Sequence, residues 1–415
     1  MQRTIVRAPL PSMSHPSSLT PRAVGWATFA LAVGGFAIGT GEFAMMGLMP
    51  DVSTDLNVSE PQVGHLISAY AMGVVVGAPL LAVLGARLPR RRLLLLLMLM
   101  FALGNVASVL VPGYLLVLLM RFVSGLPHGA YFGVAALVAA SMVAPNRRGQ
   151  AVGRVMLGLT VAALIGNPIA TWAGQWLGWR AAYAGVGAMG VLTWLLVRAW
   201  VPEPTNIKIS SPMQELGALR SEQVWLTLAI GAVGFGGMFA VFSYVAPTLS
   251  EVTGLAAHWV PIALTVFGAG MVIGNVAGGW LADRALMPAV AIVLAWTILV
   301  LALFPFTAPY PVLVFINILF VGTTVALANP LQIRLMDVAA DAQTLAASLN
   351  HSAFNIANAI GAWLGGMAIS AGYGWTSTAW VGVGLACGGM AVFGLALWRM
   401  SRQPRVRSLS RPARG

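Results

Sequence analysis

Glu42 is the residue around which chemistry could be built. It sits in Gly39-Thr40-Gly41-Glu42-Phe43-Ala44-Met45-Met46-Gly47, near the end of an apolar run that starts at about Ala23, and it is the one carboxylate placed well inside a long apolar run. A carboxylate held in hydrocarbon costs several kcal/mol unless it is protonated, paired or facing a wet cavity. The neighbouring glycines give a small-residue face that lets another helix approach and leaves room beside the acid. Two readings stay open, an acid that works by gaining and losing a proton and an acid that only bonds to a neighbouring helix. Arg121 poses the same problem with the opposite sign. It lies in Arg121-Phe122-Val123-Ser124-Gly125-Leu126-Pro127-His128-Gly129, inside a second apolar run, and needs a carboxylate, a carbonyl or water. Glu42 is one candidate partner; the alternative is that Arg121 snorkels to the membrane surface. His128 titrates near physiological pH and could relay protons, or could donate a plain hydrogen bond between helices. Further on, His351, Asn355 and Asn358 recur at i, i+4 and i+7, which aligns three polar groups on one helical face. That stripe lines a polar path or bonds to a neighbouring span.

The elements that must position these residues follow from composition. Of 415 residues 59% are hydrophobic and only 8% charged, against roughly 25% charged in an ordinary soluble domain. At about 20 residues per span, the length accommodates about twelve transmembrane helices and little else. Apolar runs predict spans at 23–48, 61–85, 92–111, 114–141, 151–174 and 180–201, then at 222–246, 257–282, 286–305, 309–333, 342–371 and 375–399. Residues 1–22 are expected to be a disordered cytoplasmic leader, 23–201 an N-terminal six-helix bundle and 202–221 a cytoplasmic linker. A C-terminal bundle is expected over 222–399 and a basic tail over 400–415.

Of 23 Lys and Arg, all but Arg121 and Arg180 flank the spans on one side, whereas the opposite loops carry Asp51, Asp55, Glu60 and Glu251. Positive residues stay in the cytoplasm, so both termini are expected there. The net charge of +12 therefore reports membrane topology and not nucleic-acid binding. The single cysteine, Cys387, supports neither a disulfide framework nor a thiolate metal site. No metal-ligand, HExxH or GxSxG pattern is present, so an intramembrane enzyme lacks an assembled constellation, and no cofactor is implied. The tryptophans Trp172, Trp176, Trp179 and Trp363 suit membrane interfaces better than a pocket.

The two halves are related. At an offset of 197, Gly34 meets Gly231, Gly39 meets Gly236, Pro50 meets Pro247, Gly73 meets Gly270, Gly77 meets Gly274, Leu84 meets Leu281 and Arg87 meets Arg284. Parallel repeats with a site at their interface are a transporter architecture. Glu42 meets Phe239, so the acid belongs to one half only.

With these features the chain resembles the major facilitator superfamily over nearly all of its length after residue 22. The family's loop motif, Gly-x-Leu-Ala-Asp-Arg-x-Gly-Arg-Arg, is matched in its first six positions by Gly279-Trp280-Leu281-Ala282-Asp283-Arg284. The first-half copy keeps Arg87, Arg90, Arg91 and Arg92 but has Ala86 in place of the acid. In the family that acid latches the outward-facing state, which leaves Asp283 to supply a latch; the arginines otherwise serve topology and headgroup contact alone. Arg121 to Gly129 resembles the motif whose intramembrane Arg is associated with proton transfer. Gly158, Gly166, Asn167, Pro168 and Gly174 resemble the Gly-Pro motif of antiporters, with Asn167 where that motif has Gly. Together with Thr40-Gly41-Glu42-Phe43, the chain is most similar to the arabinose-efflux and chloramphenicol-efflux branch of drug:proton antiporters.

The resemblance implies an all-α inner-membrane protein of two six-helix bundles that exports a drug, sugar or nucleoside in exchange for protons, as a monomer. Glu42 and Arg121 are then the proton-coupling residues. Thr40, His128, Asn167, His351, Asn355 and Asn358 line the substrate path, and Arg87, Arg90, Arg91, Asp283 and Arg284 form the gating loops. The alternatives are a passive or differently coupled facilitator on the same fold and, further off, a channel.

Overall fold

Inside a bilayer every backbone N–H and C=O must be satisfied within the chain, and the described residues are accordingly helical almost throughout. The computed structural model describes residues 20–85, 88–144, 148–203, 219–339 and 343–402. The expected leader up to residue 19, most of the linker (204–218) and the tail from 403 lie outside the described residues. Pro21 and Arg22 do not belong to a leader: they begin the first helix, capped by the Thr20 hydroxyl, which accepts from the N–H of Ala23 at 3.3 Å. A proline at the first helical position has no N–H to leave unpaired.

The first half consists of α1 (Pro21–Gly47), a short α2 (Met49–Leu56), α3 (Glu60–Gly85), α4 (Arg90–Leu110), α5 (Tyr114–Ser141), α6 (Arg148–Val161), α7 (Asn167–Leu177) and α8 (Trp179–Trp200). In the second half follow α9 (Glu222–Gly234), α10 (Gly236–Phe242), α11 (Val245–Glu251), α12 (Val260–Arg284), α13 (Leu286–Thr307), α14 (Pro311–Thr323), α15 (Ala328–Val338), α16 (Gln343–Ala368) and α17 (Ser377–Arg402). Among the described residues eleven helical stretches are long and apolar enough to cross a membrane. To these the fold adds α16, whose Asn350, His351, Ser352, Asn355 and Asn358 dilute its hydropathy.

Among the described residues three spans are interrupted midway, two of them just before a proline. The span of α6 and α7 passes through a π turn at Ala162–Gly166, just before Pro168, which has no N–H to give the carbonyl four residues back. The tenth span has a tight turn at Thr324–Leu327 before Pro330. The seventh is broken into α9, α10 and α11 around Phe235 and Ser243-Tyr244.

The internal repeat extends to the packing. In α3, Gly73 lies against the carbonyl of Phe122 and against Gly125 of α5, and Gly77 lies against Leu126. At the same offset, Gly270 of α12 lies against the carbonyl of Leu319 and against Gly322 of α14, and Gly274 lies against Thr323. A Cβ at these positions would collide with backbone, so the close approach is available to glycine alone.

Between the halves, α3 packs on α16, α12 packs on α7 and on the preceding π turn, and α5 meets α16. The bonds concentrate toward the extracytoplasmic side. Ser68 donates to the carbonyl of Ala359 (3.0 Å), Gln175 to the carbonyl of Ala257 (2.9 Å), and Tyr244 fits over Gly64 and Gly366. Phe43 packs on Phe239 and Phe242, and Phe242 stacks on Phe267 at 3.7 Å. Among the described residues, hydrogen bonds and ring contacts between the halves run no further toward the cytoplasm than Phe132 and His351.

On the extracytoplasmic surface, α2 is pinned to the start of α8. The Trp179 indole N–H donates to Asp55 (2.9 Å), and Arg180 pairs with the same carboxylate while lying over the Trp179 ring. Trp179 is thus buried, whereas Trp172, Trp176 and Trp363 are exposed, as interface residues are.

Two outcomes follow. Gly73→Val and Gly270→Val should each destabilise the protein by on the order of 1–3 kcal/mol through overpacking, whereas Gly153→Ala, with open space around it, should not; thermal melting in detergent separates them. The Trp179 bond, opposed by burial and aided in smaller measure by the bond and charge of Arg180, holds Asp55 below the usual carboxylate range. Its contribution is therefore present at neutral pH and lost as the pH falls through the lowered native value. Asp55→Asn should lower the melting temperature at pH 7, by an amount that shrinks in acid below the carboxylate range. A deficit of constant size across that range would mean that packing alone is at stake.

Candidate functional site

Glu42, Arg121, His128 and Asn358 are drawn from α1, α5 and α16, and all four are buried. Glu42 is 4% exposed and sits at the meeting of the two halves. Asn358 Nδ2 donates to its Oε1 across that boundary at 3.2 Å. Its Oε2 is 3.9 Å from His128 Nδ1, which also shares a 3.2 Å hydrogen bond with the Tyr70 hydroxyl. The acid is thus engaged by a neutral amide from the other half and an imidazole from its own.

Of the partners the sequence allows Arg121, the structure gives it a carbonyl, and neither the Glu42 ion pair nor snorkelling. Its side chain is fully buried, so it does not snorkel, and it makes no ion pair with Glu42. Instead Nη1 donates to the backbone carbonyl of Gly41 at 3.0 Å, and the guanidinium lies 4.5 Å from the Tyr70 ring centre and 5.1 Å from that of Tyr183. Tyr183 donates to the same carbonyl at 3.4 Å. Two aromatic faces and a carbonyl are a weaker substitute for hydration than a carboxylate, and Arg121 Nε and Nη2 have no hydrogen-bond partner. Arg121 therefore holds the backbone next to Glu42, leaving the carboxylate free to bond elsewhere.

His128, Phe132 and His351 form a second layer. Phe132 stacks on His351 with ring centres 5.4 Å apart and planes within 5°, and His128 is 5.3 Å from Phe132 and 6.4 Å from His351. Asn355 returns Nδ2 to the carbonyl of His351, leaving Oδ1 unpartnered, as is Oδ1 of the buried Asn167. Thr40 donates to the carbonyl of Phe36 within α1 and comes close to Gly166. The His351, Asn355 and Asn358 stripe thus faces the first half at its two ends. The aromatic residues Tyr70, Tyr183 and Phe132 were invisible to a search for polar types, because a tyrosine or phenylalanine in an apolar run has the same signature as core.

Comparison with known proteins bears on this arrangement. The sequence matches the Major Facilitator Superfamily over residues 31–349. It is 38% identical to the inner membrane transport protein YdhP of Escherichia coli over 85% of this chain and 91% of that protein. The chain belongs to this superfamily. It is also 33% identical to the chloramphenicol resistance protein of Streptomyces lividans, over 80% of this chain and 86% of that one. In fold it is similar to a bacterial homologue of the human lysosomal transporter Spinster, with a TM-score of 0.70 and 17% identity over 91% and 98% of the two chains.

As a superfamily member the chain is a multi-pass inner-membrane transporter, not an enzyme. Its loop residues are distributed unevenly. Arg87 lies outside the described residues. Arg91 donates to the carbonyl of Arg198, Arg92 faces Glu203 at 3.7 Å, and Arg90 is partly buried. Arg284 lies over the Trp280 ring, and Asp283 is exposed with no ion pair among the described residues. Among the described residues Asp283 makes no bond that would latch it to a neighbouring helix.

Below the cluster, a cleft of about 410 Å³ runs between α1 and α6, lined by Phe29, Val33, Phe36, Leu157 and Val161, with Arg154 near its cytoplasmic end. Phe29, Phe36 and Phe43 recur every seven residues, so one face of α1 lines this cleft and, further along, packs on Phe239 of the second half.

Arg121→Lys should not preserve the site, because an ammonium offers no flat face to two tyrosine rings. A loss on the order of 2 kcal/mol is expected in thermal unfolding. Wild-type melting in Arg121→Lys would mean that a point charge suffices.

Proposed function

We propose that the chain exports a small organic molecule across the inner membrane in exchange for protons, through alternating access of its two bundles, with Glu42 carrying the proton and Arg121 fixing the backbone beside it. The observation that supports this most directly is the Asn358–Glu42 bond. The acid is buried and held by the opposite half, so its protonation state is tied to whether the halves are apart or together.

The physical logic runs through desolvation. In an outward-facing state Glu42 meets periplasmic water and takes up a proton. Closing the apolar seam of Phe43, Phe239, Phe242 and Phe267 over the acid then removes its water, which is far cheaper for a neutral carboxyl than for a carboxylate. Opening on the cytoplasmic side lets the proton leave, and the ionised acid is then available to stabilise substrate or to be rehydrated. Substrate enters from the cytoplasm along the cleft between α1 and α6, whose mostly apolar lining and volume suit a drug-sized body with few polar groups. Similarity to a protein named for chloramphenicol resistance supports the outward direction.

Glu42→Gln keeps the size and the bond to Asn358 but cannot exchange a proton. Purified protein reconstituted in vesicles with an imposed pH gradient should lose uphill export in this variant, while downhill exchange and expression persist. Uphill export that survives Glu42→Gln would move the reading to a passive or differently coupled facilitator in which Glu42 is a substrate ligand.

A further inference from the structure

We propose that His128 and His351 form the cytoplasmic outlet of the coupling proton, and that charging this pair is what parts α5 from α16 at the inner face. The inference rests on Glu42 being the proton carrier and adds where the proton goes next.

Three titratable groups descend from the sealed side toward the cytoplasm. Glu42 lies near the extracytoplasmic end of α1, His128 midway along α5, and His351 about two turns from the cytoplasmic start of α16. The first gap is 3.9 Å, from Glu42 Oε2 to His128 Nδ1, and the second separates ring centres by 6.4 Å. Phe132 closes the space beside the second gap by stacking on His351. The three steps therefore cross from the first half to the second.

The proton balance is simple. Glu42 gives the proton on Oε2 to His128 Nδ1 and becomes a carboxylate that Asn358 Nδ2 continues to bond. Tyr70 turns its hydroxyl away from Nδ1 as the imidazolium forms. His128 passes its Nε2 proton to a ring nitrogen of His351, which releases it to cytoplasmic water. While the relayed proton sits on either ring a charge occupies this contact between the halves, and in acid, where cytoplasmic water supplies a second proton so that both rings are charged, two like charges face each other there and separation relieves them.

No other charged group on the elements around α16 takes this position. On α9, Glu222 pairs with Arg399 of α17 at 3.2 Å, and Arg402 lies over Trp398. On α15, Arg334 donates to Gln223 at 3.2 Å, with Asp337 in the next turn. Glu60 and His65 of α3 are at the opposite, extracytoplasmic end, and Arg121 of α5 is spent on the carbonyl of Gly41. His128 is the group that faces His351.

The test needs no substrate. Full-length protein carrying Cys387→Ser, with spin labels on cysteines introduced at Ser141 of α5 and Asp337 of α15, is placed in lipid nanodiscs. The label-to-label distance distribution is then recorded from pH 8 to pH 5. The expected result is a shift toward longer distances in acid. That shift should be lost in His351→Phe, which keeps a ring on Phe132 but takes no proton, and equally in His351→Gln, which replaces the ring by a polar chain. Glu42→Gln should keep the shift, since the histidines are then charged directly from the cytoplasm. A pH response that survives in either His351 variant, or a wild type with no response, overturns the outlet. Uphill export by Glu42→Gln in vesicles overturns the carrier assignment instead, so the two failures are told apart.

Discussion

A bilayer offers no water to a buried charge, and the arrangement of this transporter follows from how it meets that constraint. Arg121 and Glu42 are one turn or less from each other along the membrane depth, yet they do not neutralise one another. The guanidinium is spent on the Gly41 carbonyl and two tyrosine faces, and the carboxyl is left to Asn358 and His128. Had the two formed a close ion pair, the pair would be self-contained within the first half and indifferent to the second. Because they do not, the acid depends on the other half for a partner. A local electrostatic requirement thereby becomes a requirement on the whole assembly.

The scaffold is symmetric and the chemistry is not. Glycine contacts in α3 and α5 recur residue for residue in α12 and α14, so the two halves present the same backbone approach. At the positions equivalent to Glu42, Arg121 and His128 the second half has Phe239, Ile318 and Val325, all apolar. Phe239 uses its place to pack on Phe43 beside the acid. One half thus carries the charges and the other carries the cover. The second half's polar contribution comes from α16, the repeat counterpart of α6, where His351 stands opposite the register of Arg154 and Asn358 opposite Val161. A rigid half that moves against a charged half can expose or bury the acid without refolding either.

Much of this was legible from residues alone, for physical reasons. Long apolar runs and one isolated carboxylate are one-dimensional signals, and each survived into three dimensions: the spans and the burial of Glu42. The offset of 197 was readable because glycine is the only residue whose absence of a side chain is itself the packing feature. The partner of Arg121 was not readable, because a backbone carbonyl has no signature in sequence and Tyr70 and Tyr183 look like ordinary core. The start of the first helix at Pro21 was missed because Arg22 resembles a topogenic flank. The short α2 was missed because its anchor, Asp55 with Trp179 and Arg180, joins residues more than a hundred positions apart. Phe132 could be found only once α5 and α16 were seen side by side.

The position of the seal completes the argument about direction. Phe43 and Phe239 lie beside Glu42, Phe242 and Phe267 continue the same apolar cluster, and nothing in it can bond to a carboxylate. Closing it costs whatever hydration the acid must surrender, which is small when the acid is neutral and large when it is charged. The cytoplasmic side is built differently. There the contact between halves contains an imidazole on each side, with one phenylalanine between them. An apolar seal answers only to the state of the acid beneath it, whereas a seal made of titratable rings answers also to its own charge. Under the coupling proposed above, the two faces answer to the proton in opposite senses: its arrival on the acid favours closing the outer face, and its passage onto the histidines favours opening the inner one.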